Sequence, residues 1–156
     1  MESATATATR RSLIDEFAAR GLRLTMQRRV LLEIIQSATE HLDAAALLER
    51  ARLQESQVDR ATVYRTLDLL KKHRLIDELD LMHLHGEKHY YELRTNREHV
   101  HLACFRCGRI EEFRSPLFEQ IQQELSREHR FSVSVVRMEV GGLCSNCRED
   151  KSFEEQ

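Results

Sequence analysis

Apolar residues recur at helical spacing through the first half of the chain. Ser12 opens a helix running to about Arg20, where Gly21 stops it, since a Ser hydroxyl satisfies free amides at a helix start and Gly accepts the left-handed exit. Thr25 opens a second helix, whose Val30, Leu31, Ile34 and Ile35 fall on one face. Asp43 opens a third through AAALLERA, and Asp59 a fourth that buries Val63, Leu67 and Leu70. Short polar turns join them, as suits a compact helical module. After Arg74 the period drops to two. LIDELDL alternates apolar and acidic residues, and KHYYEL follows the HGE turn as its partner strand. Helices followed by a two-stranded wing make a winged helix-turn-helix, in which the helix before the wing, residues 60–72, enters the DNA major groove.

The second half mixes both periods. HVHLAC and RIEEF read as short strands around a first cysteine pair. Ser115-Pro116 predicts a helix start, with Ser as cap and Pro at the first helical position, and Leu117, Ile121 and Leu125 form that helix's buried stripe. FSVSVVRMEV reads as a longer strand ending at Gly141-Gly142. The predicted fold class is α+β. A winged-helix lobe over 12–94 is followed by a small α/β lobe over 95–150, between a disordered start at 1–11 and a tail at 151–156.

Composition sharpens this division. The 156 residues fit one domain or two small lobes, and a single proline with five glycines excludes collagen-like, linker and low-complexity chains. The net charge of −2 offers no positive excess for a nucleic-acid partner, yet it averages two unlike halves. Residues 1–76 hold 13 basic and 10 acidic side chains, and residues 77–156 hold 11 and 16. The first lobe is thus net +3 and the second −5, which fits DNA against one and cations against the other. No run of 18 apolar residues is present, so no membrane partner is expected. The start MESATATATRRSLI lacks an apolar signal stretch, and the expected location is the cytoplasm. There, cysteines stay reduced and read as metal ligands.

Cys104-Phe-Arg-Cys107 and Cys144-Ser-Asn-Cys147 form two CxxC knuckles separated by 36 residues. Each gap lets two sulfurs face one ion, and together they supply four thiolates for a closed tetrahedral site, with Gly108 permitting the tight turn. Such a zinc ion is structural, because no coordination position is left open. Four separate thiols or two disulfides remain the alternative. A thioredoxin-like redox motif is disfavoured because neither pair is expected to start a helix after a buried strand.

His99-Val-His101 places two imidazoles on one face of a strand. Glu92 in the preceding strand, Glu112 in the following one and His41 in the first lobe can join them. Imidazole and carboxylate ligands without sulfur suit Fe2+, Mn2+ or Zn2+. On the residues alone, an HxH pair is more often two solvated histidines. His83, His85 and His89 flank the wing turn and read as solvent-exposed. The helix RATVYRTLDLLKK exposes Thr62, Tyr64, Arg65 and Lys71 for phosphates and base edges, or else as a plain charged face.

These residues carry a resemblance. The chain is similar to the ferric uptake regulator family of bacterial metal-responsive repressors from about Gly21 to Asp150, through GLRLT at 21–25, ATVYRTL at 61–67, EHVHLACFRCG at 98–108 and CSNCRED at 144–150. The resemblance implies a winged helix joined by a hinge to a dimerisation lobe that holds structural Zn2+ at Cys104, Cys107, Cys144 and Cys147. It implies a regulatory ion at His41, Glu92, His99, His101 and Glu112, and DNA contacts from Arg23, Tyr64 and Arg65, beside Thr62 on the exposed helix face. The implied partners are double-stranded DNA at a palindromic operator and a second copy of the chain.

Departures narrow the expectation. Where some relatives hold an additional ion, this chain has Glu98, Val100, Glu119 and Val136, and two valines cannot ligate. Gln27 stands where many relatives have proline. Peroxide sensors of the family use aspartate at the position of Glu112, and many zinc sensors use a cysteine that this chain does not have to spare. The expectation is an Fe2+-responsive repressor of iron-homeostasis genes, with manganese, zinc or peroxide response as alternatives. A metallohydrolase is the alternative of another class, but no HExxH or comparable signature supports it, so no enzyme is expected.

Overall fold

The computed structural model describes residues 12–81, 86, 88–94, 99–134 and 136–149. His83, His85 and Glu98, with the two termini, lie outside the described residues. The chain divides into two compact units, one reaching Glu78 and including Tyr91–Arg94, the other comprising Leu79–Tyr90 and the chain from Thr95 onward.

In the first unit, helices α1 (Leu13–Ala19), α2 (Met26–Ser37), α3 (Ala44–Gln54) and α4 (Arg60–Lys72) begin at Ser12, Thr25, Asp43 and Asp59. Each of these side chains accepts a hydrogen bond from the amide three residues on, which satisfies one of the free N–H groups at a helix start. Gly21 follows α1 with φ +68°, the left-handed region where its missing Cβ removes the strain. The apolar faces meet in one cluster that includes Phe17, Leu31, Leu32, Leu47, Val63, Leu67 and Leu70. Each such side chain contributes about 1.5–3 kcal/mol by leaving water.

A three-stranded sheet of order β1-β3-β2, with β1 at Leu42–Asp43, β2 at Ile76–Leu79 and β3 at Tyr90–Leu93, lies in this unit except for Leu79 and Tyr90. The predicted wing strands are β2 and β3. The two-residue β1 was not expected. It has no periodicity of its own and exists only because β3 offers it a partner.

The second unit holds a sheet of order β5-β4-β6, with β4 at Val100–Cys104, β5 at Ile110–Phe113 and β6 at Met138–Gly142. β4 pairs antiparallel with β5 and parallel with β6. Helices α5 (Leu117–His129) and α6 (Ser145–Glu149) complete it. Three expectations need correction. Pro116, not Ser115, is the N-cap of α5, so the helix starts one residue later than predicted, and Ser115 Oγ accepts from the Leu117 amide at 3.2 Å. The stripe of α5 is not buried in the single chain: Leu117 is 59% and Ile121 38% exposed, and Phe118 alone is buried. The strand predicted over 131–140 is confined to 138–142, because its ladder partner β4 begins at Val100, opposite Met138. Among the described residues, no helix is long and apolar enough to cross a membrane.

Candidate metal centres and nucleic-acid face

The first candidate centre arises from strand register. β4 ends on Cys104, β6 ends on Gly142, and the two pair in parallel with Cys104 opposite Gly142. That pairing carries both knuckles to the same end of the sheet. Gly108 turns back with φ +73°, and its amide donates to the Cys104 carbonyl at 2.9 Å. The four sulfurs lie within 4.8 Å of one another, and all four cysteines are free. Cys107 Sγ and Cys144 Sγ are 3.7 Å apart. The edge of a tetrahedron with zinc–sulfur bonds of about 2.3 Å is about 3.8 Å, so the spacing fits that ion.

Electrostatics agree with the geometry. Backbone hydrogen bonds from Cys107, then Cys144 and Arg106, hold the Cys104 thiol down to about 6. Burial, followed by the neighbouring thiols, pushes Cys147 up to about 12. Crowded sulfurs resist joint ionisation until a cation neutralises them. The second pair stands at a helix start, since Cys144 follows β6 and directly precedes α6, but β6 is an exposed strand and not the buried one a thioredoxin-like motif follows. The redox reading still fails to describe the site, because sulfurs of the two pairs interleave as one cluster of four.

The histidines and carboxylates form two pairs, one in each unit. In the first unit, β1 brings the residue before it, His41, beside β3. His41 Nε2 lies 3.2 Å from Glu92 Oε2, with side chains only 10% and 17% exposed. In the second unit, period-two alternation places His99 and His101 on one face, with Nε2 atoms 3.1 Å apart and rings edge-to-face. His101 is buried, and Glu112 stands directly opposite it on β5. Two donors bonded at about 2.1 Å to one ion stand about 3.0–3.4 Å apart, so both pairs have the spacing of ligands that share a cation. Of the positions expected for an additional ion, Val100 is buried in the sheet and Glu119 is exposed on α5.

The third group is cationic. Arg23, Thr25, Gln27, Arg28, Thr62 and Arg65 line one hollow at the N-terminal ends of α2 and α4. Arg28 Nη1 donates to the Arg23 carbonyl at 2.7 Å, and Arg65 Nη2 lies 3.4 Å from Thr62 Oγ1. Tyr64 stands exposed on the neighbouring surface of α4. Helix N-termini carry partial positive charge, so the hollow suits a phosphate. Sequence reasoning missed Arg28 and Gln27 as its lining. Their only signal was proximity to the Thr25 cap. Lys71, expected on the open face of the helix, is partly buried: its ammonium donates to Glu78 Oε2 at 2.9 Å and lies 3.3 Å from Asp68 Oδ1.

A winged helix with a basic hollow, followed by a lobe with a thiolate cluster and paired imidazoles, defines the class of metal-responsive transcription regulators. The Ferric uptake regulator family matches residues 19–141, and the chain belongs to that family. It is 37% identical over 129 residues to the ferric uptake regulation protein of Campylobacter upsaliensis, covering 81% of each chain. Its structure resembles the Helicobacter pylori ferric uptake regulator, which has three functional metal-binding sites, at TM-score 0.73 and 25% identity, covering 90% of this chain and 91% of that one. It also resembles a zinc uptake regulator complexed with zinc and DNA, at TM-score 0.60 and 27% identity, covering 87% and 90%.

Proposed function

We propose that the protein is an Fe2+-responsive repressor that binds a palindromic operator as a homodimer in the cytoplasm and catalyses no reaction. The observation that carries this reading is the donor set. His41 with Glu92, and His99 with His101 opposite Glu112, supply nitrogen and oxygen at ion-sharing distances and no sulfur. Bound there, a divalent ion supplies the positive charge that lets these donors share one point. The winged-helix domain is assigned to 12–94 and the dimerisation domain to 95–150.

In this reading His41 and Glu92 hold the DNA-binding domain, and His99, His101 and Glu112 the dimerisation domain, in one fixed relation. Two recognition helices then match half-sites one helical turn apart. Arg23, Thr62 and Arg65 take backbone phosphate and Tyr64 meets the groove. Cys104, Cys107, Cys144 and Cys147 hold a structural Zn2+ that contributes to folding. The exposed Leu117, Ile121, Phe131, Met138 and Val140 supply an apolar face for the second copy. The direct test is a His99→Ala or His101→Ala variant. Metal-stimulated DNA binding is lost while the dimer stays folded, whereas unchanged gel shifts with Fe2+ and Mn2+ refute the ligand assignment.

A further inference from the structure

We propose that Lys71, Glu78 and Tyr91 are positioning residues, a polar brace that ties the recognition helix to the strand presenting Glu92. The Glu78 carboxylate on β2 is used on both sides. Its Oε2 accepts from Lys71 Nζ on α4 at 2.9 Å, and its Oε1 accepts from the Tyr91 hydroxyl on β3 at 3.3 Å. Lys71 is held from a second direction by Asp68, and its ammonium lies 6.0 Å from the centre of the Tyr91 ring. Tyr91 is 6% exposed and belongs to the apolar cluster that also contains Val63, Leu67 and Leu70 of α4.

Strand geometry gives this brace its consequence. Tyr91 and Glu92 are consecutive in β3, so their side chains point to opposite faces. One face meets α4 through Tyr91, and the other meets His41 through Glu92. Apolar packing is non-directional and tolerates sliding of α4 over the sheet. Hydrogen bonds to a shared carboxylate are directional and fix the helix angle against β3. The brace therefore makes the position of Glu92 and the orientation of the recognition helix one variable. It rests on the reading of Glu92 as a regulatory ligand.

The test uses the full-length chain, Mn2+ as the probe ion and a palindromic duplex selected by the wild-type protein. The quantity read is the ratio of DNA affinity with Mn2+ to that without. In Tyr91→Phe and Glu78→Gln it falls about tenfold, as one lost hydrogen bond to a charged group implies. Mn2+ affinity measured off DNA stays near wild type, and the thermal midpoint falls by no more than the few degrees that one hydrogen bond is worth. Lys71→Arg keeps a donor to Glu78 and retains the ratio. A wild-type ratio in both Tyr91→Phe and Glu78→Gln overturns the brace, as does a fall in ratio matched by a general loss of stability. A wild-type protein that ignores Mn2+ overturns the ligand reading instead, and the brace with it.

Discussion

Replacing Cys104 by serine removes one of four sulfurs from the cluster at the end of β4. The size of the effect follows from what the cluster joins. The two knuckles are separated by 36 residues, and an ion held by both closes that stretch as a loop. A cross-link over such a loop is worth about 3.8 kcal/mol in chain entropy alone, a factor of roughly 600 in the folding equilibrium. The second unit has little else to replace it. Its buried apolar side chains among the described residues are Leu79, Leu81, Tyr90, Val100, Ala103 and Phe118, beside Cys104 itself, whereas the first unit's cluster includes α1, α2, α3 and α4. Cys104→Ser is therefore expected to lose zinc and to unfold the second unit first. Elemental analysis reads the zinc, and hydrogen exchange by mass spectrometry reads each unit separately. Amides of β4 and β6 exchange at least a hundredfold faster, while those of α2 and α4 change much less. A variant that keeps one zinc per chain and normal protection in β4 refutes the four-thiolate site.

Arg65→Ala is expected to weaken operator binding and to reduce the salt slope by about one, with metal affinity off DNA unchanged; normal operator affinity would show that the hollow is not a phosphate site. Asp59 is held below its ordinary value of 3.8 by hydrogen bonds from the Thr62 hydroxyl and amide. A depressed folded-state value means that the stabilisation is present above 3.8 and is lost as pH falls through the folded value. Asp59→Asn keeps the cap and removes this acid sensitivity, which urea titrations between pH 2 and about 6 detect; an unchanged pH profile contradicts the cap. Leu67→Ala, at a site 2% exposed, should cost about 2–5 kcal/mol in global unfolding, and a smaller loss would mean that the α4 face repacks around the cavity.

Much of the first unit was legible because its signals are local. A cap at Thr25 or Asp59 acts on an amide three residues away, and the burial of Val63, Leu67 and Leu70 follows from one helix's own period. The cysteine cluster was legible for the same reason: two short spacings state the chemistry. What remained hidden depends on partners. β1 forms only where β3 lies beside it, and it is what sets His41 against Glu92. Leu117 and Ile121 carry the pattern of a buried stripe but are exposed in the single chain, so their pattern describes a surface to be covered by something else. Lys71 looked like a phosphate ligand until the wing supplied Glu78. β6 is shorter than its apolar run because a ladder extends only where two strands overlap.

Fluorescence anisotropy on a palindromic operator duplex reads the proposed switching of DNA binding by an ion at His41, Glu92, His99, His101 and Glu112. Full-length protein with its structural zinc in place is titrated with DNA anaerobically, with Fe2+ and without added metal. The expected affinity is higher with Fe2+ by about 5–150-fold, the range of a 1–3 kcal/mol coupling, and Fe2+ binds more tightly in the presence of the duplex by the same factor. Equal DNA affinity in the two conditions contradicts the proposed switching.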